Sequence, residues 1–311
     1  MNERITRSKK IKKKRRFYKL LFPLFLIILI FSSYSIWQYY SGKQLAKNDK
    51  ILHQSTFNGE QAKNGKVNVL LLGIDQREDE KTANSDTMIV AQYDTKNNKI
   101  KMISLMRDMY VSIPGYQDYK KMNSSYLLGG PELVRKTIKQ NFHLDIQYYA
   151  LIDFKGFEQV IDTLAPDGVE VNVEHAMSKN IGVSLKPGLQ KLNGKELLGY
   201  ARFRHDSQND FGRVKRQQEV IKIVSDQVLS TNGLLKAPKL LGMIEPYLET
   251  NMSRLSTLKY MKDFLLKQPS ISQTMSLPIE NTYTNESVPV FGEVLKIDEA
   301  ANREAVEKFL E

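Results

Sequence analysis

A basic run that feeds straight into an uncharged apolar stretch constrains this chain before any other feature. Residues 1–19 carry ten Lys and Arg side chains against a single acid, Glu3, and no charge then appears from Leu20 to Gly42. Those 23 residues open with the strongly apolar Leu20–Phe31. At roughly 1.5 Å per residue, a helix of that length crosses a hydrocarbon core of about 30 Å. Pro23 falls in the first turn of the expected helix, where a missing N–H is tolerated. Trp37, Tyr39 and Tyr40 close it, and such amphipathic rings favour the membrane–water boundary. Only Lys43, Lys47 and Lys50 follow closely, so the positive-inside bias predicts a cytoplasmic N-terminus, one pass, and an extracytoplasmic remainder. The competing reading is a cleaved signal peptide: the strongly apolar core is 12 residues long, and Ser33-Tyr34-Ser35 loosely fits a small-x-small cleavage site.

The tail also accounts for the net charge. The chain of 311 residues is +11, residues 1–19 supply +9, and the remaining 292 share +2. A nucleic-acid-binding domain distributes its basic surface over the fold, so nucleic acid is excluded as a partner. The absence of cysteine excludes a disulfide scaffold, thiolate metal sites and Cys catalysis. Residues 43–66 are polar without a sustained period and read as a linker or a short juxtamembrane helix. Residues 67–311 are long enough for one domain with a substantial core.

Within that domain, Val67–Ile74 is a nearly continuous apolar run that predicts a buried strand. Strands are also expected at 87–94 and 99–106, joined by the turn Thr95-Lys96-Asn97-Asn98, at 147–153 and at 168–177. Helices are expected at 131–142, opened by Pro131, and at 154–164, 194–203, 210–230, 233–247, 254–267 and 298–310. The alternation gives an α/β class: a mixed central sheet with helices on both faces. Beyond about residue 232, helices are expected to complete the fold.

Familiar catalytic signatures are missing. The four histidines form no HExxH or i,i+4 pair, and neither GxSxG nor a P-loop occurs. Ser256-Thr-Leu-Lys259 matches SxxK, but it sits in an amphipathic helical pattern with no KTG after it, as chance matches do. Polar residues of interest gather at strand ends. Asp75 closes the first strand and Asp86 opens the next, so a hairpin would bring both carboxylates to one sheet edge, a donor set suited to Mg²⁺. Spacing alone favours the alternative, turn residues bonding to nearby backbone. Arg107 follows the third strand and reads equally as a solvated strand end. Arg202 and Arg204 stand about 200° apart on a helix and converge only if the chain leaves the helix there. Asp210, Arg213 and Gln217 share a helix stripe at an N-terminus, where the dipole and free N–H groups favour an anion. A solvated charged face explains that stripe as well.

These segments resemble the LytR–CpsA–Psr proteins. The likeness rests on LLLGIDQR (70–77), SDTM (85–88), SLMRDMYVSIPG (104–115), KMNSSY (121–126), the surroundings of LIDF (151–154), LNGKELLGYARFRHD (192–206) and DFGRVKRQQ (210–218), a motif core over 67–230. The resemblance implies a membrane-anchored transferase. It would move a glycopolymer such as wall teichoic acid from undecaprenyl diphosphate to the muramic acid 6-hydroxyl of peptidoglycan, with Mg²⁺ (or Mn²⁺) as cofactor. Its partners would be the polyprenyl-diphosphate-linked glycopolymer, peptidoglycan and membrane lipid. Carried over by position, Asp75 and Asp86 match the metal-holding acids. Arg107, Arg202, Arg204 and Arg213 match the arginines around the diphosphate, with Gln217 beside them. Asp210 matches the acid that deprotonates the incoming hydroxyl, so Arg107, Asp210 and Arg213 are the expected catalytic residues. Arg77 falls in the first motif as a further diphosphate contact, and Asn123 as a loop-positioning residue. Leu127, Leu128, Ile138, Phe154 and Phe157 are candidates for a prenyl tunnel. A polyprenyl-diphosphate hydrolase using the same site and a non-enzymatic membrane-anchored regulator or wall-binding protein are the alternatives. Nineteen residues before the anchor are too few for a cytoplasmic effector domain.

Overall fold

The computed structural model describes residues 2–46, 55–62, 65–75, 85–206 and 208–311, with side chains from Phe22 onward. In chain order the elements are α1 (Asn2–Leu45), β1 (Lys66–Ile74), β2 (Ser85–Asp94), β3 (Lys99–Leu105), β4 (Met109–Val111), β5 (Lys120–Lys121), α2 (Ser124–Phe142), β6 (Tyr148–Asp153), α3 (Phe154–Leu164) and β7 (Val169–Val173). There follow β8 (Gly188–Leu192), α4 (Gly194–Arg202), α5 (Asn209–Leu229), α6 (Thr231–Ile244), β9 (Leu248–Thr250), α7 (Arg254–Lys267), β10 (Ser270–Leu277), β11 (Tyr283–Val288), β12 (Gly292–Ile297) and α8 (Glu299–Leu310).

The main sheet has the order β10-β3-β2-β1-β6-β9. It is mixed: β1–β2, β2–β3 and β6–β9 pair antiparallel, whereas β1–β6 and β3–β10 pair parallel. Side chains alternate across β1. Leu70, Leu72 and Ile74 join Val134, Ile138 and Phe142 of α2 and Val306 of α8 in one core. Leu71 and Gly73 instead face a cavity walled by residues of α3, α4 and α5. Gly129 and Gly130 break the helical backbone inside α2, so Pro131 opens its second half as the sequence pattern predicts. The β7 strand stops at Val173, short of the expected 177.

Two expectations are corrected. Pro23 lies deep within a helix that starts at Asn2, because the basic tail continues the helix instead of preceding it. The segment after 232 is not helical throughout. There β9 and β10 form both edges of the main sheet, and β11-β12 joins β4-β5 in a second, four-stranded sheet. Within the expected linker, the described residues continue α1 or pack on the domain. The α1 helix runs on to Leu45, Phe57 stacks on Tyr149 at 4.7 Å, and Glu60 meets Arg135 at 2.7 Å.

Among the described residues one helical stretch, Phe22–Leu45, is long and apolar enough to cross a membrane. Its C-terminal end is not free. Gly42 and Gly242 allow α1 and α6 to touch backbone to backbone: a Cβ on Gly42 would meet Lys239 O and Met243 N, and one on Gly242 would meet Tyr39 O. Ala46, Leu240, Met243 and Tyr247 bury a small core at this junction.

Candidate functional site

The site forms where β1, β2 and β3 end on the same sheet edge. Gly73 pairs with Thr87, and a register shift carries Ile74 opposite Ser85, so the β1–β2 hairpin delivers Asp75 and Asp86 together. Each carboxylate is held by a guanidinium. Arg202 Nη2 lies 3.2 Å from Asp75 Oδ2, and Arg107 Nη1 lies 3.1 Å from Asp86 Oδ1. Arg202 is the last residue of α4, and Phe203 turns extended with ψ 137°. That break resolves the helical-angle problem: Arg202 and Arg204 line one chamber, with the Arg202 guanidinium 4.5 Å above the Phe154 ring.

From the opposite side α5 contributes its first two turns. Arg213 Nη2 donates to Asp210 Oδ2 at 2.8 Å, Arg107 Nε lies 3.7 Å from the same oxygen, and Arg204 Nη1 lies 3.8 Å from Oδ1. Arg213 is 3% exposed, yet its Nε finds no hydrogen-bond acceptor among the described residues. A buried donor without a partner is costly, and here it borders the chamber that Arg202, Arg204 and Gln217 also line. An anion with several oxygens fits that unmet donor.

Titration follows from the same geometry. Burial raises the Asp210 carboxyl above its ordinary range, Asp108 and Asp86 add to the effect, and Arg213 and Arg107 only partly oppose it. Burial depresses Arg213, and the Arg107 charge adds to this against the pull of Asp210. For Arg107 burial works against the charge, but Asp108, Asp210 and Asp86 together hold it above its usual value. Asp210 is thus a carboxylate more basic than a solvated one, set among cations short of negative charge.

Some neighbours were not legible in the sequence. Lys179 and Asn180 reach the chamber from the loop between β7 and β8, and Asn180 Nδ2 lies 3.0 Å from His205 Nε2. Neither has a sequence signal beyond being polar in a loop; Asn180 stands at a positive φ of 62°. Asp108 and Lys121, 2.8 Å apart, back Arg107. Arg216 pairs both terminal nitrogens within the fold. Its Nη1 lies 2.7 Å from Asp206 Oδ2 and its Nη2 donates to the Phe203 carbonyl, which braces the loop carrying Arg204. The Asn123 N–H donates to the Arg107 carbonyl at 3.1 Å, a backbone tie that holds the Arg107 turn. Arg77 lies outside the described residues.

An apolar cavity of about 240 Å³ adjoins the arginine chamber and shares Thr87, Phe154, Leu198, Ala201 and Gln217 with it. Phe154 and Phe157 line it. The other tunnel candidates do not: Ile138 is 0% exposed in the main core, and Leu127 and Leu128 lie on the surface. The cavity draws its walls mostly from Leu71, Ala150, Ile152, Val220 and Ile221.

The LytR_cpsA_psr family model matches residues 33–305. The chain belongs to this family. It is 43% identical over 281 residues to "Regulatory protein MsrR" of Staphylococcus aureus strain COL, covering 89% of this chain and 85% of the relative. It is 32% identical over 271 residues to a "Polyisoprenyl-teichoic acid--peptidoglycan teichoic acid transferase TagU" of Oceanobacillus iheyensis, covering 81% and 83%. Among solved structures, Bacillus subtilis YwtF (TagT) with bound octaprenyl pyrophosphate lipid superposes with a TM-score of 0.61 at 26% identity, over 83% of this chain and 98% of that one.

Among the described residues no group of three or more His, Cys, Asp or Glu could hold a metal ion. Asp75 and Asp86 nevertheless fit Mg²⁺. They are hard oxygen donors at one edge, about 30% and 28% exposed along the side chain. Mg²⁺ commonly takes one or two carboxylates, with waters and substrate phosphates completing its shell.

Proposed function

We propose that the protein transfers a glycopolymer from a polyprenyl diphosphate to peptidoglycan, with its catalytic domain outside the membrane and its basic tail in the cytoplasm. One observation carries the reading. An apolar cavity, an arginine-lined chamber and the half-buried Asp210 carboxylate adjoin one another, in the order that a lipid tail, a diphosphate and an attacked phosphorus require. The transferase relative and the octaprenyl pyrophosphate bound in the TagT structure support it.

In the proposed reaction the prenyl chain lies along Phe154, Phe157 and Ile221, and Arg202, Arg204 and Arg213 neutralise the diphosphate oxygens. Asp210 accepts the proton of the acceptor hydroxyl as its oxygen attacks the phosphorus that bears the glycan. The bridging P–O bond breaks, and lipid monophosphate leaves with the electron pair. Charge grows on the leaving phosphate, where the pre-placed guanidinium groups stabilise it most. Asp75 and Asp86 would hold Mg²⁺, which would supply further charge neutralisation on the phosphates.

The name of the staphylococcal relative suggests a second reading, in which the chamber binds a polyprenyl diphosphate without turning it over. The raised carboxyl of Asp210 favours turnover, because a mere anion receptor gains nothing from a carboxylate among its arginines. The test is the full chain in nanodiscs with Mg²⁺, a lipid-diphosphate-linked glycan and peptidoglycan oligomers. Lipid monophosphate released in step with label entering peptidoglycan is the expected result. Tight binding of the donor with no release would favour the receptor.

A further inference from the structure

A second cleft, of about 530 Å³, opens on the other side of Asp210. One wall is the start of α5, Gln208 to Phe211, with Arg107 and Asp108 at its base; the facing wall is the β11–β12 hairpin through Tyr283, Asn285 and Glu293. That hairpin lies outside the motif core of 67–230, yet it is fixed to the site. The Leu295 N–H donates to the Asp108 carbonyl at 2.9 Å, and β12 pairs with β4 directly after the Arg107 turn.

The two openings meet but differ in what else lines them. The chamber that shares Gln217 with the apolar cavity gathers Lys179, Arg202, Arg204 and Arg213. The outer cleft shares Asn180, Arg204 and His205 with the chamber, and adds amides (Gln208, Asn209, Asn285), Arg107, the carboxylates of Asp108, Asp210 and Glu293, and an aromatic pair. Phe211 and Tyr283 stack with centroids 5.4 Å apart and planes tilted by 32°. Asn285 and Glu293 are exposed, and Glu293 has no ion-pair partner among the described residues. Aromatic rings beside amide, carboxylate and guanidinium groups suit a ligand rich in hydroxyls and amides.

We infer that this cleft binds the glycan strand of the acceptor, and that Tyr283, Asn285 and Glu293 of the β11–β12 hairpin position its hydroxyl beside Asp210. The inference rests on the transferase reading. It adds a binding surface next to the diphosphate chamber, with one wall built from the C-terminal part of the domain.

The experiment uses the full chain and the variants Tyr283→Ala and Asn285→Ala/Glu293→Gln; the second pair is exposed, so its fold is safe. With saturating donor, the KM for a peptidoglycan oligosaccharide is expected to rise about tenfold or more while the donor KM stays within about twofold of wild type. A raised donor KM with an unchanged acceptor KM would overturn the assignment and place the donor glycan in the cleft. Direct binding of the same oligosaccharide is measured by calorimetry alongside. Binding by wild type that both variants lose supports the cleft even if no transfer is seen, in which case the transferase reading fails and not the cleft. Equal binding by wild type and variants, or none by wild type, overturns it.

Discussion

Replacing Gly242 by alanine tests whether the anchor and the catalytic domain form one rigid unit. The added Cβ would sit more than about an ångström inside ordinary contact with the Tyr39 carbonyl, with the Lys43 nitrogen at 3.1 Å on the same side. Both obstacles are backbone of α1, so no side chain can turn away, and the two helices must part. Parting them uncovers Ala46, Leu240 and Met243, all buried at the junction. Overpacking costs roughly 1–3 kcal/mol, and rigid partners put this case at the upper end. About 3 kcal/mol is roughly a 150-fold shift toward the undocked state. Amide hydrogen exchange of the full chain in nanodiscs reads this directly. The α6 helix and residues 38–46 should exchange about a hundredfold faster, while β1–β3 keep wild-type protection. Leu235→Ala, an exposed change on the same helix, is the control and should stay within about 0.5 kcal/mol. Wild-type exchange in α6 of the Gly242→Ala protein would refute the docking argument.

Further outcomes concern the site and the core. Arg107→Ala and Asp75→Ala should each lower kcat/KM by about a hundredfold or more with a native circular dichroism spectrum, since Arg107 pairs with Asp86 and Asp210 and Asp75 holds Arg202; wild-type rates in either would remove that residue from the site. Asp210 must be ionised to act as a base, and burial holds its pKa above the ordinary 3.8. Activity should therefore fall with decreasing pH along a limb displaced above the usual aspartate range, and Asp210→Asn should abolish that limb and cost roughly 10²–10⁴ in rate. Glu132 is lowered from 4.5 to about 2: burial works the other way, but hydrogen bonds from Arg135 and Asn58 outweigh it. Its stabilisation is thus present above pH 4.5 and lost as pH falls toward 2. Glu132→Gln should flatten that part of the stability curve at a cost of about 2 kcal/mol at neutral pH in urea unfolding.

Legibility in the sequence followed how strongly burial imprints a residue pattern. The run Val67–Ile74 is buried in the centre of the main sheet and reads as a strand without help. The edge strands do not. Ser270–Leu277 has mostly polar residues and a largely exposed pattern, because only one side of an edge strand meets another strand. Both edges of the main sheet and the whole β11–β12 hairpin were hidden in this way. At the site, Asp75 and Asp86 were readable as a pair because a hairpin geometry joins them, and Arg202 with Arg204 because helical angles forbid convergence without a break. Lys179 and Asn180 were not, since a polar loop residue carries no mark of what it faces. Pro23 misled for a related reason: a proline tolerated in a first turn also sits inside a helix when basic residues before it extend the helical backbone. Phe57 and Glu60 look like linker composition, and only the fold shows them packed on Tyr149 and Arg135.

The central claim is that a sugar hydroxyl, and not water, takes the glycan phosphate. The direct measurement is mass spectrometry of the products formed by the full chain in heavy-oxygen water, with donor and peptidoglycan oligomer both present. Transfer predicts a phosphodiester-linked glycan on the oligomer that carries only light oxygen, in amounts matching the lipid monophosphate released. Free glycan phosphate carrying one heavy oxygen, with nothing attached to the oligomer, would contradict the account and make the protein a hydrolase.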